Sequence, residues 1–265
     1  HILEHKSFTF AGGASKTDFQ SHIAALNSRI KDEFDKLIKT GDSEGANILL
    51  DEETLSKKQE YDISPRALQV KWEKLLTISK TGQSSLVQQE YDKLINDFYK
   101  LMKLVAIKSK LILDPEGDSY YLMDVAVLRM PKVQELLSNS FYLAIEDEQD
   151  TVYSFERLSE IIYLNRTLRS AIVDEIPGSI NSAIEQDPEF HGRTESLSIV
   201  LPPMVEKYRT GVGSLIEIYE NIIRNNKIYG IEDLTLLTSE QLDESLLFWT
   251  ATLDELEKVI DTRID

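Results

Sequence analysis

Cysteine is absent from this 265-residue chain, and glycine and proline together supply only 18 residues, about 7% against a usual ~12%. Without cysteine there is no disulfide framework and no thiolate metal site. So few turn-forming residues argue against a sandwich or barrel of many short strands. A basic surplus is missing too. The 46 acidic and 29 basic side chains leave a formal charge of -17, the wrong sign for a nucleic-acid binder. There is no run of about eighteen uninterrupted apolar residues, so no segment of the chain reads as a membrane span, and no signal peptide opens it. Hydrophobic residues make up 42%, enough apolar material for a sizeable core and too much for a disordered chain. What remains is a large helical protein with one long core or two.

The periodicity is helical almost throughout. Thr17 and Gln20 have capping-box spacing, and Ile23, Leu26, Ile30, Phe34 and Leu37 follow at intervals of three or four, up to a stop at Gly41. Residues 41–63 read as a loop with a short helix near Glu52–Glu60. Ser64-Pro65 has the form of an N-cap followed by Pro at the first helical position, opening a helix to about Lys80. After a turn at Gly82 to Ser84, a long helix reaches Leu113 and breaks at Asp114-Pro115-Glu116-Gly117. Asp118 caps the next, which runs to about Ala144 with a bend at Pro131. Another covers roughly 150–186 with a kink at Pro177-Gly178. One from Thr194 to Asn225 is expected to bend or break at Pro202-Pro203. A loop begins at Tyr229-Gly230. Thr238 and Gln241 repeat the capping-box spacing before a last helix carrying Leu242, Leu246, Trp249, Leu253, Leu256 and Ile260. The fold class expected is all-α, an elongated antiparallel helical bundle, either one domain over 1–265 or two stacked four-helix modules sharing long helices. Both ends fall in helical pattern, so the chain reads as a piece of a longer protein.

Signatures of catalysis are sparse. There is no phosphate-binding glycine loop, no HExxH and no GxSxG. No cofactor, catalytic residue or metal site is expected. His1 and His5 have the i,i+4 spacing of a metal pair, yet they read as a solvated helix start; His22 and His191 stand alone. Asp114, Glu116 and Asp118 alternate like the opening of a calcium loop. The sixth and twelfth positions are Ser119 and Val125, where such a loop needs Gly and Glu. Those acids read better as helix stop and cap, and Glu146-Asp147-Glu148 as solvated surface. More pointed is the stripe Phe155, Leu158, Ile162, Asn165, Arg169, Ile172, Ile176. It is apolar except for Asn165 and Arg169, one turn apart. A buried Arg needs a partner, either an anionic ligand or an internal carboxylate. Arg129 is a second candidate of the same kind. Tyr121 and Asp124, beneath the turn at the start of their helix, could line a polar pocket or tie that turn to its neighbours.

Leu113 to Asp124 reads LDPEGDSYYLMD. This segment closely resembles one found in extracytoplasmic helical sensor regions of bacterial transmembrane receptors, among them chemotaxis receptors, sensor histidine kinases and diguanylate cyclases. The likeness extends more weakly to Trp72-xx-Leu75-Leu76, to Arg129-Met130-Pro131, and to a C-terminal helix like the one that returns to the second membrane span. The N-terminus departs: His5-Lys6-Ser7-Phe8, then Ala11-Gly12-Gly13, stand where relatives carry His-Arg-Gly-Leu-Ser. The resemblance implies a periplasmic signal-input domain of an inner-membrane receptor, a histidine kinase or chemoreceptor. It further implies a homodimer in the receptor, tethered through flanking membrane helices. The domain itself is then no enzyme, although its parent could be a kinase. Its partner is a small-molecule ligand, anionic if Arg169, Asn165 or Arg129 receives it, or a periplasmic binding protein. No nucleic acid is expected. The competing class is a cytosolic helical scaffold or adaptor that binds partner helices in a groove.

Overall fold

Every regular element among the described residues is a helix. The computed structural model describes residues 1–11, 17–48, 50–58, 60–80, 84–145, 152–189, 194–227 and 229–262. The chain divides into two compact units, His1–Leu111 and Ile112–Asp265. Each contains a ring of four packed helical rods. The boundary falls just after a helix end, and each long helix belongs to one unit.

Unit 1 contains α1 (Ile2–Ala11), α2 (Thr17–Glu44), the short α3 (Glu52–Lys57), α4 (Pro65–Ser79) and α5 (Ser84–Lys108). The ring runs α1, α2, α4, α5 and back to α1. Its core is the expected stripe of α2 (Leu26, Ile30, Phe34) set against Leu68, Trp72 and Leu75 of α4 and Tyr91 and Leu94 of α5. Fully burying each of the leucines contributes about 1.5–3 kcal/mol. The start of α4 is as the sequence implies: Ser64 Oγ accepts from the Ala67 N–H and Pro65 sits in the first turn. Asp51 caps α3 in the same way through the Thr54 N–H. Gly41 does not stop α2, which continues to Glu44. A Cβ at Gly41 would come 3.2 Å from Pro65 Cγ, so its small size serves close packing of α2 on the head of α4. α5 ends at Lys108, short of Leu113, with Lys110 left-handed at φ 65°. The Thr17 cap, the Gly82 turn, the glycines at 12 and 13, His191 and the acids at 146–148 lie outside the described side chains.

Unit 2 contains α6 (Gly117–Met123), a π-helical stretch Asp124–Arg129, α7 (Met130–Ala144), α8 (Phe155–Ser170), a second π stretch Ala171–Glu175, α9 (Ile176–Gln186), α10 (Leu197–Asn225) and α11 (Ile231–Asp261). The rods are α6–α7, α8–α9, α10 and α11, each packed on the next and the last on the first. A rod of about thirty residues is ~45 Å long. Arg157 closes the end of α7, donating to the carbonyls of Tyr142, Leu143 and Ile145 at 2.9, 2.7 and 2.7 Å. No described helix is long and apolar enough to cross a membrane.

Three expectations change here. α10 runs unbroken through Pro202 and Pro203, which lie in its second turn, where few upstream carbonyls lose a donor. α11 starts at Ile231 behind Gly230, so Thr238 and Gln241 are buried mid-helix residues and not a cap. A Thr-x-x-Gln spacing is also an i,i+3 pair on one helical face, and burial decided between the two. α6 begins at Gly117 behind Glu116, so Asp118 lies in the first turn. Its carboxylate accepts from the Ser119 N–H at 2.6 Å.

Candidate functional site

Both π stretches end immediately before a Φ-Pro pair. One reads Arg129-Met130-Pro131 and the other Glu175-Ile176-Pro177. The cause is the missing proline N–H. In an α-helix the Val127 carbonyl would bond the nitrogen of residue 131, which has no hydrogen and whose ring would clash with it. The helix instead widens to i→i+5 spacing, and the Met130 N–H reaches the Val125 carbonyl. The second stretch repeats this, with the Ile176 N–H bonded to the Ala171 carbonyl. One carbonyl in the first stretch is left over. Ala126 has lost the Met130 donor, and the next one along is Pro131. Trp249 of α11 fills the place, donating its Nε1–H to the Ala126 carbonyl at 2.6 Å.

The two stretches lie on neighbouring rods, the first packing on α9, which follows the second. Arg129, half-buried at the end of the first, links them. Its Nε donates to Asp124 Oδ2 at 2.5 Å, and its Nη1 to Glu175 Oε2. Ser179 of α9 donates to the same Asp124 oxygen at 3.1 Å, and Ser170 to Glu175 Oε1 at 3.1 Å. Burial opposes the charge on Arg129, and Asp124 and Glu175 more than offset it, so its pKa is raised. The guanidinium is therefore committed to two carboxylates. An anion would meet a guanidinium whose charge these two carboxylates already offset.

Of the residues singled out from the sequence, the structure brings Asp124 and Arg129 together. Tyr121 is half-buried and packs edge-on to Tyr120, ring centroids 5.6 Å apart. Asn165 is buried as expected, and its Oδ1 has no hydrogen-bond partner. Arg169 is not on the buried face. It is exposed and pairs with Glu220 of α10 at 2.5 Å. The buried stripe of this rod is Ile161, Asn165, Leu168, Ile172 and Ile176, while Phe155 is 82% exposed. Leu168, not Arg169, faces inward, because the true stripe lies to one side of the expected one. Glu175, Ser179 and Trp249 were missed. The available signal was the repeated charged-Φ-Pro triplet, which could have paired Arg129 with Glu175.

Unit 1 has a different polar centre, and His5 lies in it. His5 is 2% exposed and not solvated. Its Nδ1 shares a 2.6 Å hydrogen bond with the Tyr91 hydroxyl, and Thr9 Oγ1 lies 3.1 Å from that hydroxyl. Trp72 meets the imidazole edge-on at 4.9 Å. Burial pushes the His5 pKa down to about 4 and that of Tyr91 up. The imidazole thus stays neutral, with its Nδ1 turned to Tyr91. Beside it Lys6, 1% exposed, holds Asp92 at 2.8 Å.

Comparisons with protein-family models, with curated proteins and with solved structures find no significant match to this chain.

Proposed function

We propose that the chain is the signal-input region of a bacterial transmembrane receptor, a sensor histidine kinase or chemoreceptor, lying on the outer face of the inner membrane. In this reading it binds and relays a signal and leaves the chemistry to an output module. The observation that carries the proposal is the Arg129 clasp between π stretches on neighbouring rods. The α-helical alternative to a π stretch costs about 3 kcal/mol at its proline, so it is a minor state, and exchange into it shifts the register of the following helix by one residue, ~1.5 Å along the axis and ~100° around it. That is a discrete two-state element of the kind signal relay needs. The Trp249–Ala126 bond ties α11 to the first stretch, so a register change there acts on α11 directly. α11 is also the helix expected to continue toward the membrane. A ligand must favour one register over the other, or nothing is transmitted. The resemblance of Leu113 to Asp124 to receptor sensor regions supports the same reading. The test is the parent gene. It is expected to encode an apolar membrane span on each side of this chain, and a parent lacking both spans would overturn the proposal in favour of a soluble scaffold.

A further inference from the structure

The charge of the chain is concentrated in one unit. Unit 1 carries 16 acidic and 17 basic residues, and unit 2 carries 30 and 12. Within unit 2 a groove of about 340 Å³ runs between α10 and α11, lined from α10 by Glu206, Lys207 and Gly211 and from α11 by Glu240, Gln241 and Glu244. Three carboxylates and one ammonium leave it net negative. Glu244 is engaged by Lys207 at 2.7 Å, and Glu206 by Arg209 at 2.9 Å. Glu240 is exposed and has no ion-pair partner among the described residues.

The floor of the groove holds a second, independent feature. Gln241 is 3% exposed, and its carbonyl oxygen Oε1 is buried without a hydrogen-bond partner. That oxygen lies over Gly211, 2.3 Å from where a Cβ would stand, so the glycine makes room for it. An unpaired buried carbonyl costs about 1–3 kcal/mol, which is a standing incentive to accept a donor. The terminal torsion of Gln is soft and roughly two-fold, so a half-turn exchanges its oxygen and nitrogen. The acceptors of this groove are spread along it. Among the described residues, its three glutamates do not bring oxygens within 4.8 Å of one another as a metal site requires. Acceptors of negative or neutral character, spaced apart, suit a cation with several N–H donors and some length.

We propose that the α10/α11 groove of unit 2 is a binding site for an organic ammonium ion, received by the Glu240 carboxylate and the Gln241 carbonyl. The unit's overall charge of -18 draws cations toward it and repels anions. As a ligand class for the receptor the proposal rests on the reading above; as a binding site it stands alone.

The test is calorimetric titration of the full chain with 1,4-diaminobutane, against butane-1,4-diol and against sodium chloride at equal ionic strength. Saturable binding of the diamine alone is expected. Glu240→Gln should weaken it about tenfold or more. Glu217→Gln, an equal loss of charge on an exposed α10 residue outside the groove, should change it less than about twofold. Backbone and side-chain amide NMR shifts should move at Gly211 and Gln241. The site is overturned if the diamine gives no more than salt, or if Glu217→Gln weakens binding as much as Glu240→Gln. Failure here leaves the receptor reading to the parent gene. Binding by a chain whose parent lacks membrane spans would keep the site and remove the receptor.

Discussion

The two units use similar rings of four helical rods and differ in almost everything that bears on motion. Unit 1 has one proline, Pro65, placed at the head of a helix where it costs nothing, and its long helices are unbroken. Unit 2 has six, and two of them force π stretches into the middle of its rods. Unit 1 balances its charges, whereas unit 2 has 30 acids against 12 bases. In unit 1 the central polar groups are a neutral His–Tyr pair and a buried lysine ion pair. In unit 2 the corresponding feature is an arginine holding two irregular segments together. A regular, balanced bundle has little to gain from a second arrangement. A bundle with proline-induced register changes, clasped by one side chain, has a defined second arrangement about 3 kcal/mol away, within reach of ligand binding.

The contrast can be broken at several points. Each unit has one tryptophan, Trp72 or Trp249, so Trp249→Phe and Trp72→Phe backgrounds let fluorescence follow one unit at a time in urea. The largest effect belongs to unit 1. Asp92→Ala removes a carboxylate from the buried Lys6 ammonium and is expected to destabilise that unit by about 3 kcal/mol. Adding Lys6→Met should recover most of the loss, and a loss that persists would mean the pair is not what is being broken. Next is pH. His5 has a pKa of about 4 in the folded unit against 6.5 unfolded, so the unfolded chain binds the extra proton between those values. Its contribution is full above pH 6.5 and is lost as pH falls toward 4, about 3 kcal/mol in all. The difference between wild type and His5→Gln across that window measures it, and parallel pH profiles would refute it.

Smaller effects fall on unit 2. Arg129→Met should cost it about 1–2 kcal/mol and leave unit 1 unchanged, since both carboxylate partners are partly solvated. The smallest effect is salt. Raising sodium chloride from ~0.05 to ~0.5 M should stabilise unit 2 by a few tenths of a kcal/mol by screening its self-repulsion, and leave unit 1 nearly unaffected. Equal responses would show that the charge asymmetry has no energetic consequence.

The all-α class, the Ser64-Pro65 start and the Leu26–Ile30–Phe34 stripe were legible because each rests on local spacing. The π stretches were not. Over five or six residues a π pattern and an α pattern place nearly the same side chains inward, so proline announced an interruption without saying which kind. Asp124 and Arg129 were legible as candidates and close in sequence. Glu175, their third partner, is 46 residues from Arg129, and only packing brings it near. Arg169 misled for the opposite reason. Apolar neighbours at helical spacing suggested burial, but shifting the face by one residue puts Leu168 inward and leaves the arginine at the rim.

The central claim is that Arg129 holds the two π stretches as one coupled element. Native-state hydrogen exchange on wild type and Arg129→Met tests it most directly. The account predicts that the variant loses protection together at 127–132 and 173–178, while the α10 interior around Leu215 to Ile222 is unchanged. Loss at only one stretch, or a uniform loss across unit 2, would contradict it.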